Sequence, residues 1–267
     1  MRDSRRVSIL KIEEQRSSRV EDDVVIEEPL EIRVNGESIS VTMRTPGDDF
    51  DLAVGLLWTE GIIHSRDEIG TIAYCPDEEQ PELKNIVNVG LVDSGRKLES
   101  SRRLWSNSSC GLCGKNSIAD LMTCTAPMQP DDLRVAASTL YEMPTHLRTA
   151  QSVFTHTGGL HAAGLFSSGG ELLLLREDIG RHNAVDKLIG HGLLHGTFPY
   201  ANHILMVSGR TSFEIIQKAL LARIPCIAAI SAPSSLAVEL ADRAGITLIG
   251  FLRDHSMNVY THPGRVV

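Results

Sequence analysis

Hydrophobic residues in the second half of the chain come in short continuous runs, and amphipathic stretches separate these runs. Strands are predicted over 171–175, 203–207, 225–230 and 246–252, and helices over 182–194, 212–222 and 234–244. Short apolar strands that alternate with helices of this length are typical of a largely parallel sheet covered on both faces. A further helix is predicted to begin near residues 130–132, where a proline precedes two aspartates. The sequence therefore predicts an α/β domain over residues 129–267.

The first section of the chain has a different pattern, in which hydrophobic and polar residues alternate. This alternation over residues 31–34 and 38–43 predicts two strands, and Asn35-Gly36 between them is a strong hairpin signal. A helix is predicted after Asp48 and Asp49, because aspartate side chains can cap a helix, and Gly61 is its expected end.

Two more predicted strands complete this section and set the domain boundaries. They cover residues 71–74 and 85–92, so residues 21–105 are predicted to form a small α+β unit. The remaining segments are a flexible leader over residues 1–20 and a cysteine-containing loop over residues 106–128.

Composition and charge exclude several classes of protein. The chain has 267 residues and a net charge of -8, and only 4% of its residues are aromatic. An acidic chain with few aromatic residues is a poor candidate for nucleic-acid binding, so no nucleic-acid partner is expected. No apolar run reaches the roughly 20 residues that a membrane span needs, and the first 19 residues lack the apolar core of a secretory signal. Five cysteines with one close pair do not form a disulfide framework, so we expect a cytoplasmic protein.

The close pair, Cys110 and Cys113, is the chemically most informative feature of the chain. Two thiols three positions apart can bind a metal, form a redox disulfide or pass sulfur between them. Arg102, Arg103 and Lys115 lie close by in the sequence and favour the thiolate, which is the reactive form. One half of a structural zinc site is the alternative that the motif alone leaves open.

Three polar segments are expected at the carboxyl ends of the predicted strands, where α/β sheets bind ligands. The first, residues 176–183, carries more charge than a connection needs, although a solvated loop that caps the next helix would also explain it. The second, residues 208–212, contains Ser208, Gly209 and Arg210 before a predicted helix, which suits a phosphate, although Thr211 or Ser212 could simply cap that helix. The third, residues 251–258, could contact an anion, an amine or the edge of a ring in a ligand. Alternatively, it is an edge strand that leaves the sheet with its polar residues exposed to solvent.

Zinc chemistry of the nucleobase-deaminase type is not expected. That chemistry needs H-x-E upstream of P-C-x-x-C, because the glutamate shuttles the protons. Here His161 is followed by two alanines, it comes after the cysteine pair, and Ser109 replaces the proline. Four histidines lack a recognised spacing to the cysteines, so no metal site is predicted; these are His156, His161, His182 and His255. The isolated Cys75, Cys124 and Cys226 are expected to be buried or incidental.

Five motifs together make the chain similar to a known family. They are Glu27–Leu30, Ser109–Gly114, Thr157–Ala163, Arg176–Lys187 and Ser208–Arg210. On these motifs the chain resembles the FdhD family, the accessory sulfurtransferases required for formate dehydrogenase activity. The resemblance runs from about Val24 to Pro263, and the Asp-Ile-Gly-Arg-His-Asn run within it is highly specific.

The resemblance implies an activity, a fold and a set of partners. A cysteine desulfurase would supply sulfur as a persulfide on Cys110, with Cys113 assisting. The acceptor would be Mo-bis(molybdopterin guanine dinucleotide), for which a guanine nucleotide can substitute, before insertion into apo-formate dehydrogenase. The resemblance also implies a cytidine-deaminase-like α/β fold and a homodimer.

The resemblance and the strand-end segments together give the expected cofactor contacts. The family's binding stretch corresponds to Phe251, Leu252, Arg253, Asp254, His255 and Ser256. The guanine nucleotides of the cofactor carry several phosphates, whose charge Arg181, Arg210 and Arg253 could offset beside Ser208 and Gly209.

Two other functions compete with sulfur transfer. A non-catalytic chaperone would bind the molybdenum cofactor and hand it on, with the cysteines serving only as contacts. A dithiol oxidoreductase is a weaker alternative, because the cysteine pair precedes the α/β section instead of opening its first helix.

Overall fold

The computed structural model describes residues 3–14, 16–75, 84–93, 95, 127–129 and 131–267. Within these ranges the strands form three sheets, of two, four and six strands. No helix in the described part of the chain is both long enough and apolar enough to cross a membrane.

The predicted flexible leader is instead a two-stranded ribbon. Strand β1 (Ser4–Glu13) pairs antiparallel with β2 (Arg16–Val25) along its whole length. Most ribbon residues are exposed, and the large apolar side chains of Leu10 and Ile12 are among them. The prediction of a flexible leader is wrong here. Strand β1 carries the apolar residues Val7, Ile9, Leu10 and Ile12, a strand signal that was overlooked, whereas β2 is mostly polar and is ordered by its backbone pairing with β1.

The small α+β unit follows the prediction. It contains β3 (Glu28–Val34), β4 (Glu37–Arg44), β5 (Ile69–Tyr74) and β6 (Ile86–Leu91), in the spatial order β4-β3-β6-β5. Asn35 and Gly36 both have positive φ, of 50° and 85°, as the tight turn between β3 and β4 requires.

Helix α1 (Asp49–Thr59) covers this sheet and ends where the sequence predicts. Gly61, with φ of +69°, takes the left-handed conformation just beyond the helix. The predicted capping is wrong, because the Asp48 side chain accepts no cap hydrogen bond. Asp49 does not cap the helix either. Its buried carboxylate forms an ion pair with Arg44 at 3.0 Å.

The α/β region contains six strands in the spatial order β12-β11-β10-β9-β7-β8. They are β7 (His161–Phe166), β8 (Leu172–Asp178), β9 (Ile204–Val207), β10 (Cys226–Ala229), β11 (Thr247–Arg253) and β12 (Ser256–Thr261). The prediction of a largely parallel sheet is wrong. Among these strands only the β9–β10 and β10–β11 pairs are parallel. Strand β7 pairs antiparallel with β9, and the edge strands β8 and β12 are added through hairpins with β7 and β11.

Helices cover both faces of the six-stranded sheet. One face carries α4 (Arg181–His195), α5 (Phe213–Leu221) and α6 (Ser235–Ala244), which match the predicted helices. The other face carries α2 (Ala137–Ala150), which is followed by α3 (Ser152–Thr157). The helix predicted from residues 130–132 begins later, because Asp131 holds Arg265 at 2.6 Å and accepts the backbone N–H of Leu133.

One hydrophobic core joins the small unit to the α/β region. It contains side chains of the four-stranded sheet, of α1 and α4, and of one face of the six-stranded sheet. Helices α1 and α4 cross at two glycines. A Cβ atom on Gly55 would lie 1.9 Å from the Asp186 carbonyl oxygen, and one on Gly190 would lie 1.8 Å from that of Asp51. The two backbones therefore touch at a distance that only glycine permits.

This crossing predicts that Gly190→Ala lowers the free energy of unfolding. Alanine gains about 1 kcal/mol of helix propensity, but the helices must separate, so the expected net loss is about 1–3 kcal/mol in urea denaturation. Gly264→Ala is the matched control, because a Cβ there meets no atom within 4 Å and the φ of Gly264 is not positive. Equal stability of the two variants would show that the crossing does not depend on glycine.

Candidate functional site

The charged segment at the end of β8 is partly buried and is not a solvated loop, with Asp178 and Asn183 as its buried residues. The carboxylate of Asp178 is fully buried and lies 2.8 Å from Lys187 Nζ. The other oxygen of this carboxylate accepts the backbone N–H of Gly180 at 2.8 Å and the side-chain amide of Asn183 at 3.0 Å. These hydrogen bonds close the turn that leads from β8 into α4.

The same group of residues holds the loop that follows β4. Thr45 donates its backbone N–H to Asp178 at 3.2 Å, and its carbonyl accepts from Lys187 Nζ at 3.0 Å. Asn183 donates to the Met43 carbonyl at 2.8 Å. We call Thr45, Asp178, Asn183 and Lys187 the buried joint. Much of the Asp-Ile-Gly-Arg-His-Asn run is therefore explained by its attachment to the small unit.

Two side chains of that run point elsewhere. His182 Nε2 lies 3.1 Å from the Ser212 hydroxyl and 3.8 Å from a carboxylate oxygen of Glu214. Burial, and next the charges of Arg181 and Lys218, lower the pKa of His182 to about 3. This imidazole is therefore neutral at physiological pH. Ser212 occupies the position before α5 but gives that helix no side-chain cap, so the simple capping alternative does not explain it.

Arg181 and His161 lie beside Gly209, in the loop after β9. A Cβ on Gly209 would come within 3.2 Å of His161 Nδ1 and 3.8 Å of Arg181 Cδ, so the glycine makes room for both side chains. Arg181 Nε is buried and has no hydrogen-bond partner among the described residues. Burial and the Arg181 charge lower the pKa of His161, which keeps its ring neutral. An unpaired buried N–H of this kind suits an acceptor that a ligand brings.

A cleft of about 690 Å³ opens next to these residues. It lies between helices α2 and α3 and the carboxyl ends of β9, β10 and β11, where Ser208, Ile230 and Arg253 line it. His161 lines it at the start of β7. The volume is within the range of about 300–1,000 Å³ that is usual for small-molecule sites.

The cleft carries positive charge and flat apolar surfaces. Arg148 and Arg253 both line it, and neither forms an ion pair with a described residue. The Arg148 guanidinium stacks on the Phe154 ring at 3.9 Å, which holds it in place by a cation–π contact. Tyr141 lines the cleft too and meets the His255 ring edge-on at 5.6 Å. This arrangement suits a ligand with an aromatic ring and a negative charge.

The structure brings together some of the predicted contacts and separates others. Ser208, Arg253 and Asp254 line the cleft, with Gly209 and Arg181 next to His161 at its edge. Five predicted contacts stand apart from the lining, and Phe251 is one of them. Arg210, His255 and Ser256 are exposed outside it, and Leu252 is fully buried in the core. Phe251 is half-buried, with φ of +53°, at the irregular step between β11 and β12. Cys110, Cys113 and Cys124 lie outside the described residues.

The residues of α2 and α3 that line the cleft were not predicted from the sequence. Tyr141, Arg148 and Phe154 fall in a stretch with ordinary amphipathic helix periodicity, which carries no ligand signal. Only the fold shows that one end of this helical pair faces the strand ends. Pro144 inside α2 is the feature that could have drawn attention, since proline is unfavourable in a helix interior and here it lines the cleft.

A separate cluster of metal-ligand types lies on the far side of the sheet. Asp51, His191 and His195 each offer one donor atom within 4.8 Å of the others. Arg176 already occupies this cluster, with Nη2 2.9 Å from Asp51 Oδ2 and 2.7 Å from His191 Nδ1. Its positive charge disfavours a metal ion between them.

Comparisons with known proteins agree on one family. The FdhD/NarQ family profile matches residues 25–267. The sulfur carrier protein FdhD of Mycolicibacterium paratuberculosis is 51% identical over 249 residues, which cover 91% of each chain. The protein of the same name from Sulfolobus acidocaldarius is 42% identical over 262 residues, which cover 98% of each chain.

A solved structure has the same fold. A crystal structure from Desulfotalea psychrophila, described as a formate dehydrogenase accessory protein, aligns over 99% of both chains with a TM-score of 0.78 and 25% sequence identity. The fold is therefore shared with a protein of only 25% sequence identity.

The buried joint predicts a large loss of stability in Lys187→Met. The substitution leaves the Asp178 carboxylate buried without a counter-charge, so the free energy of unfolding should fall by about 3–5 kcal/mol in urea denaturation. Lys11→Met is the control, because the Lys11–Glu13 pair is exposed and its loss should change stability by about 0.5 kcal/mol or less. A Lys187→Met variant as stable as the control would contradict the proposed importance of the joint.

Proposed function

The chain belongs to the FdhD/NarQ family, and we propose on that premise that it is a sulfur carrier that serves formate dehydrogenase. Sulfur comes from a cysteine desulfurase in the cytoplasm and is held as a persulfide on Cys110. It is then passed to Mo-bis(molybdopterin guanine dinucleotide), the substrate that accepts it, before apo-formate dehydrogenase takes up that cofactor.

The loading step is a thiol–persulfide exchange that needs no external oxidant. The Cys110 thiolate attacks the outer sulfur of the persulfide on the desulfurase, forming a new S–S bond. The S–S bond on the desulfurase breaks, and its cysteine leaves as a thiolate with the electron pair. Cys113, three positions away, assists release of the sulfur to the acceptor: its thiolate attacks the inner sulfur of the Cys110 persulfide, a Cys110–Cys113 disulfide forms, and the outer sulfur leaves as hydrosulfide with the electron pair.

The cleft is the part of the molecule that supports binding of the acceptor. One guanine nucleotide is an aromatic base joined to phosphates, and the cleft combines ring surfaces with Arg148 and Arg253. These two arginines lack described carboxylate partners, so their charge is available to phosphate oxygens. This unpaired positive charge in a cleft at the strand ends, in a chain whose net charge is -8, is the observation that carries the proposal.

The residues at the edge of the cleft have distinct roles in this account. Arg181 presents its unpaired Nε–H to an acceptor of the ligand, and Ser208 holds the strand end by accepting the Ala162 N–H at 2.9 Å. The neutral His161 ring can donate one hydrogen bond and accept another without adding charge. Gly209 keeps the space that these side chains occupy.

The six-stranded sheet and the assembly of the protein are also part of the proposal. We infer a cytidine-deaminase-like ancestry for the six-stranded layer, in which Ala163 stands where the deaminase glutamate would be. Ala163 is fully buried and pairs with Arg176 and Val207, so this position packs a strand and supplies no proton. The resemblance stated from the sequence also supports a homodimer.

Sulfur loading predicts a change in intact mass. After incubation with a cysteine desulfurase and cysteine, the wild-type chain should gain one sulfur atom that a thiol reductant removes. Cys110→Ala should abolish the gain, because it removes the accepting thiolate. Cys75→Ala is the matched control and should load normally, since Cys75 is a partly exposed thiol outside the motif.

Two results of this measurement would contradict sulfur transfer. Undiminished loading of Cys110→Ala would assign the persulfide to another cysteine. Guanine nucleotide binding without any mass gain under an active desulfurase would instead support the non-catalytic cofactor chaperone.

A further inference from the structure

Asp254 is the one acidic side chain among the described residues that line the cleft. The other charged side chains that line it are Arg148 and Arg253, and the proposed ligand is itself anionic. A carboxylate there repels phosphates, which weakens binding unless it meets a hydrogen-bond donor of the ligand. Asp254 is exposed and has no hydrogen bond or ion pair with a described residue.

The backbone holds Asp254 in a fixed position at the rim. It is the first residue of the two-residue turn between β11 and β12, in which Arg253 pairs with Ser256. Its φ of +48° is in the left-handed region. The second turn residue, His255, meets Tyr141 of α2 edge-on at 5.6 Å, so the turn is anchored against the opposite wall of the cleft.

Guanine supplies the donors that such a carboxylate needs. Its Watson–Crick edge presents N1–H and the N2 amino group side by side, which match the two oxygens of a carboxylate. Adenine presents an acceptor at N1 and no amino group at C2, so it leaves the carboxylate unpaired. A base that covers the carboxylate displaces its water, and only a base with donors at this edge replaces the lost hydrogen bonds, which makes this contact an effective discriminator.

We propose that Asp254 selects guanine over adenine by accepting hydrogen bonds from N1–H and the N2 amino group. This inference rests on the proposed function, because it assumes that the nucleotide portion of the acceptor binds in the cleft. It assigns the two parts of the cleft different tasks. Arg148 and Arg253 bind the phosphates of any nucleotide, and Asp254 makes the binding selective for guanine.

A purely conformational role is the competing explanation, since aspartate is common at positive φ in turns. Asp254→Asn separates the two, because asparagine adopts the same backbone conformation equally well. The substitution removes a negative charge near an anionic ligand, so electrostatics alone predicts that all nucleotides bind the variant more tightly. Base recognition predicts the opposite for guanine, because the amide retains one acceptor and faces the base with one donor.

The experiment is calorimetric titration of the full chain with GDP, ADP, IDP and XDP. The wild type should bind GDP most tightly, and IDP, which lacks the N2 amino group, less tightly by roughly 10-fold or more. Asp254→Asn should bind GDP about 10- to 100-fold more weakly and ADP no more weakly than the wild type does. It should also gain affinity for XDP, whose C2 carbonyl accepts from the new amide.

Each contrary result has a defined meaning. GDP affinity that is unchanged or increased in Asp254→Asn would overturn the role of Asp254 while leaving the proposed function intact. Absence of binding by all four nucleotides to the wild type would overturn the cleft as the nucleotide site and this inference with it. The sulfur-loading assay is independent of both, because it does not require a bound nucleotide.

Discussion

The ion pair between Asp178 and Lys187 is the interaction on which the rest of the structure depends. It is fully buried, and its two partners also hold both backbone groups of Thr45, in the loop that leaves the small sheet. Removing two charges from water is expensive, so the pair is worth little unless its remaining hydrogen bonds are satisfied. Here the backbone amides of Thr45 and Gly180 and the Asn183 side chain satisfy them. The pair therefore fixes one relative position of the two parts of the molecule.

The joint determines what the strand ends can do. Because Asp178 and Asn183 are turned into the protein, Arg181 is left next to His161 and Gly209 with an unpaired Nε–H. The cleft itself is formed on the opposite face, where α2 crosses above the ends of β9, β10 and β11. Recognition of a ligand is thus separated from stability: the residues that line the cleft come from other segments, and Arg181 is the residue of this run that lies next to its edge. Arg148 and Arg253, the arginines that line the cleft, make no hydrogen bond or ion pair with the residues of the buried joint, so their charges are available to a ligand.

Much of this could be read from the sequence, for identifiable reasons. The Asn35-Gly36 hairpin, Gly61 after α1, and the three helices α4, α5 and α6 follow from local rules, and the structure confirms them. The direction of strands does not follow from apolar runs, because a buried antiparallel strand such as β7 looks the same as a parallel one. The cleft wall was missed because Arg148 becomes significant only through its long-range placement. The buried joint resembled a binding loop because charge in sequence does not reveal burial.

The central claim is that the cleft between α2 and the strand ends is where the nucleotide portion of the sulfur acceptor binds. Hydrogen–deuterium exchange of the full chain with and without GDP tests this most directly. The account predicts slower exchange, on GDP binding, in residues 137–161 and at the β11–β12 turn, since these segments line the cleft. Residues 4–13, the outer strand of the exposed ribbon, should exchange at the same rate in both conditions. GDP-dependent protection confined to residues 176–187, or absent from the cleft segments, would contradict the account.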